Sequence, residues 1–173
     1  WVMATAVSAI GRLFDKDSAD ILIPMLKNKD ARVRANAIEA LSALKWEGLP
    51  DACFPMLKDR NDRVRVNAAI ALWKSGHSEV FAELEKMSRD RSRWVRASAV
   101  FALGQINDPE ATPILSRMLH DSEDMVYRNV LEALSWNGDL RALIPLLNEV
   151  NRGRLKPEFY ESILDRFAQT IRE

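Results

Sequence analysis

At 173 residues, with 25 basic and 25 acidic side chains, the chain carries no net charge that would indicate nucleic acid or an acidic protein as its partner. Although 47% of its residues are apolar, no apolar run reaches the roughly 18 residues that suggest a transmembrane helix, so we predict no membrane insertion. The single cysteine, Cys53, excludes an internal disulfide framework and favours a reducing, cytoplasmic compartment.

Landmark residues recur every 31 residues along the chain. Self-similarity with a period of about 20–50 residues is typical of stacked repeat arrays, in which one repeat cannot bury its apolar face alone. We therefore predict about five two-helix repeats, at approximately 1–29, 30–60, 61–91, 92–122 and 123–150. The recurring positions include Val33, Val64, Val95 and Val126; Ala9, Ala40, Ala71, Ala102 and Ala133; and Met25, Met56, Met87 and Met118.

The first residues of the chain already have the periodicity of a helix interior. Residues 1–13 contain neither a helix cap nor a signal-peptide layout. We therefore expect this chain to be a fragment of a longer protein.

Each repeat is predicted to open with a capped helix. Asp30, Asn61 and Ser92 occupy one column before the helix, where short polar side chains accept hydrogen bonds from the first free N–H groups. Apolar residues follow at spacings of three and four, which predicts one buried face. In the second repeat they are Val33, Ala37, Ala40, Leu41 and Leu44.

In two of the repeats, a proline lies within the predicted second helix. Pro24 and Pro55 lie within the apolar pattern, so we expect these helices to be kinked or to begin only shortly before the proline, near residues 20 and 51. The fifth repeat has a shortened turn, since its Ile144–Leu147 motif comes three residues early. The predicted buried stripe contains Leu22, Met25, Leu26, Leu115, Met118 and Leu119.

The period is lost after residue 150, where the chain predicts a terminal helix. Residues Pro157 to Ile171 have apolar side chains four apart, at Phe159, Ile163, Phe167 and Ile171. Terminal elements of an array are atypical because one side has no neighbour to cover. We predict a C-terminal capping helix within residues 151–173.

The repeat pattern is similar to the HEAT repeat family, especially the short bacterial type also found in phycobilin lyases. The matching motifs are Val95-Arg96, Ala102-Leu103-Gly104 and Asp108-Pro109-Glu110-Ala111. The resemblance implies a right-handed α-α superhelix whose second helices line a concave surface, and a column arginine that pairs with an acid of an adjoining turn. Trp73 replaces the motif glycine in the third repeat, and Tyr127, with Arg128 beside it, replaces the column arginine in the fifth.

No constellation of residues predicts catalysis or metal binding. His77 and His120 lie on different predicted elements without companion ligands. The acidic pairs of the inter-repeat turns suit helix capping better than acid–base chemistry. We therefore predict no catalytic residue, no metal and no cofactor. A phycobilin-lyase-like handling of a cofactor stays as an alternative that rests on the resemblance alone.

Basic residues are concentrated at three successive corners between predicted repeats. Arg34, Arg65 and Arg96 share a column and either form a structural ladder with neighbouring acids or line an edge that binds a phosphate backbone. Interleaved acids, such as Asp59 and Asp90, and the neutral total charge favour the ladder. The candidates for the alternative anion site are Lys29, Arg32, Arg34, Arg60, Arg63, Arg65, Arg91, Arg93 and Arg96.

Columns on the second helices, opposite the buried stripe, are the main candidate for partner recognition. Ile23 and Phe54 are apolar where solvent is expected, so they either anchor a protein ligand or pack on adjacent second helices. Trp94 is added from a first helix because its column, which it shares with Trp1, also holds Arg32 and Arg63, both typical surface residues. The candidates are Ile23, Lys27, Phe54, Lys58, Glu85, Lys86, Arg89, Trp94, Ser116, Arg117 and His120.

These patterns predict an all-α solenoid that acts as a non-enzymatic interaction module or scaffold. The partner is expected to be another protein or another domain of the same polypeptide. Binding of nucleic acid through the basic corners is the alternative.

Overall fold

A computed structural model describes residue 7, residues 19–137 and residues 139–172. The described residues form helices and connecting turns and contain no strand, which confirms the all-α prediction. The chain divides into two compact units, an N-terminal unit (Trp1–Lys86) and a C-terminal unit (Met87–Glu173). The first predicted helix falls almost wholly outside the described residues.

The helices come in pairs that repeat with the period of the sequence. The first helices of four pairs begin at residues 31, 62, 93 and 124. In chain order the helices are α1 (Ala19–Leu22), a 3-10 helix (Ile23–Lys27), α2 (Ala31–Ala43), α3 (Leu49–Met56), α4 (Asp62–Lys74), α5 (Val80–Met87), α6 (Arg93–Ile106), α7 (Ala111–Met118), α8 (Asp124–Asn137), a 3-10 helix (Leu140–Ala142), α9 (Leu143–Asn151) and α10 (Pro157–Arg172). No helix within the described ranges combines the length and the apolarity needed to cross a membrane.

Two of the three predicted caps form. The Asp30 carboxylate accepts a hydrogen bond from the Arg32 N–H at 2.8 Å, and the Asn61 side chain accepts one from the Val64 N–H at 3.3 Å. Ser92 occupies the N-cap position of α6, but its side chain makes no capping bond, so that prediction was wrong. The turn is fixed from the other direction, because the Ser92 N–H donates to the Asp90 carboxylate at 2.7 Å.

Proline changes the second helices as expected. Helix α1 begins at Ala19 and passes into a 3-10 helix at Ile23, one residue before Pro24, since proline has no N–H to continue the α-helical ladder. Helix α3 begins at Leu49 and has Pro55 in its last turn. Leu22 and Leu26 are buried, but Met25 is only half-buried, which corrects its place in the stripe.

In each unit, neighbouring first helices pack on each other: α2 on α4 in the N-terminal unit and α6 on α8 in the C-terminal unit. Small side chains permit this close approach, with Ala37, Ala68 and Ala102 fully buried. The terminal helix α10 packs on α9 and buries Ile163 and Phe167. The side chain of Ile171 lies outside the described part of the chain. This packing determines which residue columns of the helices face outward and are available for binding.

Candidate interaction surfaces

The column arginine of the N-terminal unit forms a two-pronged ion pair. Arg34 donates from Nη2 to Asp59 Oδ1 at 2.7 Å and from Nε to Asp59 Oδ2 at 2.9 Å. Its third nitrogen donates to the Asn28 carbonyl at 2.7 Å. Only 6% of Arg34 is exposed. This arginine therefore ties the end of one helix pair to the start of the next and cannot reach an external phosphate.

The C-terminal unit repeats the same arrangement two repeats further along the chain. Arg96 donates to both carboxylate oxygens of Asp121, at 2.6 and 3.0 Å, and to the Asp90 carbonyl at 2.9 Å. Arg65, the member between them in sequence, is buried and donates to the Asp59 carbonyl at 2.8 Å. The pairing implied by the family resemblance is thus present for Arg34 and Arg96.

The acidic partners titrate as members of ion pairs. Burial alone would raise the pKa of Asp59, but hydrogen bonds from Arg34 and from the Asn61 N–H lower that pKa below its ordinary value. The pKa of Asp121 is lowered in the same way by Arg96 and the Glu123 N–H, against the effect of burial. Both carboxylates therefore stay ionised at neutral pH and keep the arginines occupied.

Three of the other six members of the predicted basic edge form ion pairs with acidic side chains. Arg32 pairs with Asp30 at 2.8 Å, Arg63 with Glu39 at 3.5 Å and Arg93 with Glu123 at 3.4 Å, all on the surface. Lys29, Arg60 and Arg91 are exposed. Because Arg34, Arg65 and Arg96 are withdrawn into the structure, the edge offers fewer cations to an anion than the sequence suggested.

The column changes its chemistry at the fifth repeat. Tyr127 replaces the arginine, and its hydroxyl donates to the Arg154 carbonyl at 3.3 Å while the Arg154 guanidinium lies 4.4 Å above its ring. Glu149 is buried and forms ion pairs with Arg152 at 2.9 Å and with Arg154 at 3.4 Å. The last corner thus retains a buried acid–arginine contact but takes its arginines from the turn before α10.

The second-helix candidates are accessible to different degrees. Ile23, Phe54, Glu85 and Ser116 are half-buried. The Phe54 ring is partly covered by His77, whose centroid lies 6.1 Å away in an edge-on geometry. The flanking polar candidates Lys27, Lys58, Lys86, Arg89, Arg117 and His120 are exposed. Each unit therefore carries a second-helix surface of partly exposed apolar or small residues with charged neighbours.

Sequence reasoning missed the most exposed apolar residue of this surface. Ile144, in α9, is 71% exposed. The early Ile-Pro motif puts Ile144 in the same column as Ile23 and Phe54 once the shortened turn is allowed for. The Ile-Pro motif therefore identifies Ile144 as a member of this column, although a strict period of 31 residues does not.

The first helices of the N-terminal unit carry a polar, closed face. The Asn67 amide, in α4, donates to Glu39 Oε1 at 2.6 Å and to the Ala35 carbonyl at 3.1 Å, both in α2. Arg63 donates to Asn36 Oδ1 at 3.1 Å across the same pair of helices. These side chains bridge α2 and α4 and cover the seam between them.

The first helices of the C-terminal unit carry an aromatic, open face. A groove of about 370 Å³ lies between α6 and α8, with Phe101 and Trp136 among its lining residues. These two side chains are 56% and 65% exposed. A second groove of about 390 Å³, between α8 and α10, shares Trp136 and Glu132 and adds Arg128. Neither groove was predicted from the sequence.

Trp136 lies in a column of the first helices whose other members are surface residues, so its exposure could have been predicted from the sequence. The two positions one and two periods earlier are Gln105 and Lys74, both exposed polar residues. The same logic selected Trp94, which is 54% exposed and has the Arg93 guanidinium 5.0 Å from its ring centroid.

Nothing in the described part of the chain resembles a reactive centre. No group of three or more metal-ligating side chains occurs there. Burial raises the pKa of the Cys53 thiol to about 12, so this cysteine is uncharged and inert at neutral pH. The candidate functional features of the described residues are therefore the exposed surfaces and grooves given above.

Comparison with known sequences identifies the repeat. A sequence model described as HEAT repeats matches residues 1–54, 50–135 and 83–152. No curated protein gives a significant match.

Solved structures agree with this result and confirm the α-solenoid fold. An engineered protein aligns over 98% of this chain and 84% of its own, with a TM-score of 0.58 and 18% identity. The Escherichia coli protein YibA aligns over 95% of this chain and 61% of its own, with a TM-score of 0.56 and 22% identity. A designed armadillo repeat protein in complex with a (KR)4 peptide aligns over 95% and 91%, with a TM-score of 0.58 and 16% identity.

Proposed function

We propose that this chain, which belongs to the HEAT repeat family, is a non-enzymatic interaction module that binds a protein partner through the exposed columns of its second helices. The partner is either a separate protein or another domain of the same polypeptide. The proposal draws on the fold, since a designed armadillo repeat protein of similar fold binds a peptide, and on the side chains that these columns present.

The observation that carries the proposal is the exposure of Ile144 on α9. An isoleucine that is 71% exposed can bury a large apolar area when a partner covers it. Arg117, in α7, and His120, two residues after the end of α7, are exposed in the same unit. An apolar anchor with a polar and charged rim is the combination found at protein interfaces. A preformed helical surface also binds without ordering a flexible segment.

The N-terminal unit presents a weaker version of this combination. Phe54 is half-buried and Lys58 is exposed one turn further along. We therefore expect Ile144 and Arg117 to contribute more binding free energy than Phe54 and Lys58.

Selection of a random peptide library displayed on phage, followed by fluorescence anisotropy with each selected peptide, tests the proposal. Ile144→Ala combined with Arg117→Glu should weaken binding at least about tenfold, equivalent to about 1.4 kcal/mol, and Phe54→Ala should weaken it less. Met125→Ala is the control, because it truncates an exposed apolar side chain that lies on a first helix and lines neither groove.

Unchanged affinity in the Ile144→Ala, Arg117→Glu variant would refute the second-helix site. Loss of affinity in Met125→Ala alone would place peptide recognition on the first helices instead. Circular dichroism of every variant checks that the helices are retained.

A further inference from the structure

The groove between α6 and α8 has a floor of small residues. A Cβ atom added to Gly104 would lie 3.1 Å from the Cβ atom of Ala133, so these two helices approach as closely as glycine and alanine allow. The walls are the exposed rings of Phe101 and Trp136. The result is a slot with a floor of small residues and one exposed aromatic side chain on each of its two helices.

The polar residues of the slot favour a cation. Glu132 is its one charged lining residue among those described, beside the neutral amides of Gln105 and Asn129. The carboxylate of Glu132 forms no ion pair within the described part of the chain. A carboxylate and the faces of aromatic rings all attract positive charge.

We infer that this groove binds an arginine side chain of a partner protein, with the guanidinium group bound by Glu132 and flanked by Phe101 and Trp136. The planar guanidinium group stacks on aromatic rings and binds a carboxylate through two parallel hydrogen bonds, which an ammonium group cannot do. The volume of about 370 Å³ lies in the range of ordinary ligand pockets.

Charge distinguishes this groove from its neighbour. The groove between α8 and α10 also contains Glu132 and Trp136, but there Arg128 lines the wall and repels a second guanidinium group. The α6–α8 groove has no such cation among its lining residues. A phosphate-bearing ligand is disfavoured for the converse reason, because it would be brought against Glu132.

The C-terminal unit already uses this contact internally. The Arg93 guanidinium lies 5.0 Å from the Trp94 ring centroid, and that of Arg154 lies 4.4 Å from the Tyr127 ring centroid. The exposed Trp94 and the half-buried Tyr127 thus pair with arginines of their own chain, and an arginine from outside can make the same kind of contact in the groove.

The test uses the full chain and two small probes, N-acetyl-arginine amide and its uncharged isostere N-acetyl-citrulline amide. The indole N–H signal of Trp136, identified by its loss in Trp136→Phe, is followed in ¹⁵N–¹H NMR spectra during titration. The arginine probe should shift this signal with a dissociation constant on the order of 1 mM. The citrulline probe should bind about tenfold more weakly, because it lacks the charge.

Glu132→Gln should weaken binding of the arginine probe about tenfold. Glu110→Gln, which removes an exposed carboxylate from the turn before α7, should leave it unchanged. Equal shifts with both probes, no shift up to the solubility limit of the arginine probe, or full binding in Glu132→Gln would each overturn the inference. The second-helix residues are untouched, so either result leaves the proposed function to its own test.

Discussion

The first helices form a closed face in one unit and an open face in the other. In the N-terminal unit, Asn67 reaches across from α4 to Glu39 on α2 and covers the seam. In the C-terminal unit the corresponding seam between α6 and α8 is an aromatic groove. The helices of both pairs start 31 residues apart in register, so the backbone repeat does not explain the difference.

A few substitutions within the repeat account for it. The residue two periods after Glu39 is Phe101, which has no carboxylate to accept a bond from an asparagine on the next helix. Asn129 stands in the column of Asn67, but Met125 stands in the column of Arg63. Repeat proteins can therefore keep one frame and vary the exposed columns, and this chain does so within about a hundred residues.

If the helix pairs of the two units are held together in the same way, loss of the Arg34–Asp59 pair and loss of the Arg96–Asp121 pair should lower the free energy of unfolding equally. Asp59→Asn and Asp121→Asn should each lower the free energy of unfolding by about 3 kcal/mol, because each leaves a largely buried arginine without its charge partner. Urea unfolding followed by circular dichroism measures both. Losses that differ by more than about 1 kcal/mol would mean that the frames are not equivalent.

A surface ion pair at the same corner provides the control. Glu123→Gln removes the partner of Arg93, and both side chains are well exposed, so the loss should be below about 0.5 kcal/mol.

The pH dependence of stability should also distinguish the buried ion pair of Asp121 from the surface pair of Glu123. Since the pKa of Asp121 is lowered in the folded protein, its stabilisation is present above the unfolded-state pKa of about 4 and is lost as pH falls below it. Wild type and Asp121→Asn should then converge in stability.

A large side chain on the floor of the α6–α8 groove should close the groove and lower the stability of the protein. Gly104→Leu places a large side chain against Ala133, where even a Cβ atom is at 3.1 Å, so we expect a loss of about 2 kcal/mol from overpacking. Binding of N-acetyl-arginine amide should disappear. Gln105→Leu introduces the same side chain at the next, exposed position and should change stability little. Equal stability of the two variants would contradict the close approach of α6 and α8.

Transplanting the closed face is expected to have the smallest effect on stability. Phe101→Glu with Met125→Arg recreates, beside the native Asn129, the three side chains that close the N-terminal face. The free energy of unfolding should change by less than about 0.5 kcal/mol, as is usual for surface changes. The arginine probe should no longer shift the Trp136 signal. Retained binding would show that closure depends on more than these columns.

The arginine–aspartate pairs were within reach of sequence reasoning, but the grooves were not. Arg34 and Asp59 are 25 residues apart, as are Arg96 and Asp121, so the period and the family resemblance together identify both partners. The Ser92 cap was predicted in error, and the bond from the Ser92 N–H to Asp90 does not account for it, because the same bond from Asn61 to Asp59 accompanies a formed cap. The residue type at a cap position does not by itself reveal whether its side chain makes the capping bond.

The sequence by itself determined the helix pairs, their period, the buried alanine and leucine columns and the family, because these follow from spacing along single helices and from repetition. Only the tertiary structure decided which columns meet across two helices. The distance between Gly104 and Ala133, the bridge from Asn67 to Glu39 and the slot beside Trp136 each depend on the separation of two helix axes. Hydrophobic periodicity reports the direction of a side chain from its own axis and contains no measure of that separation.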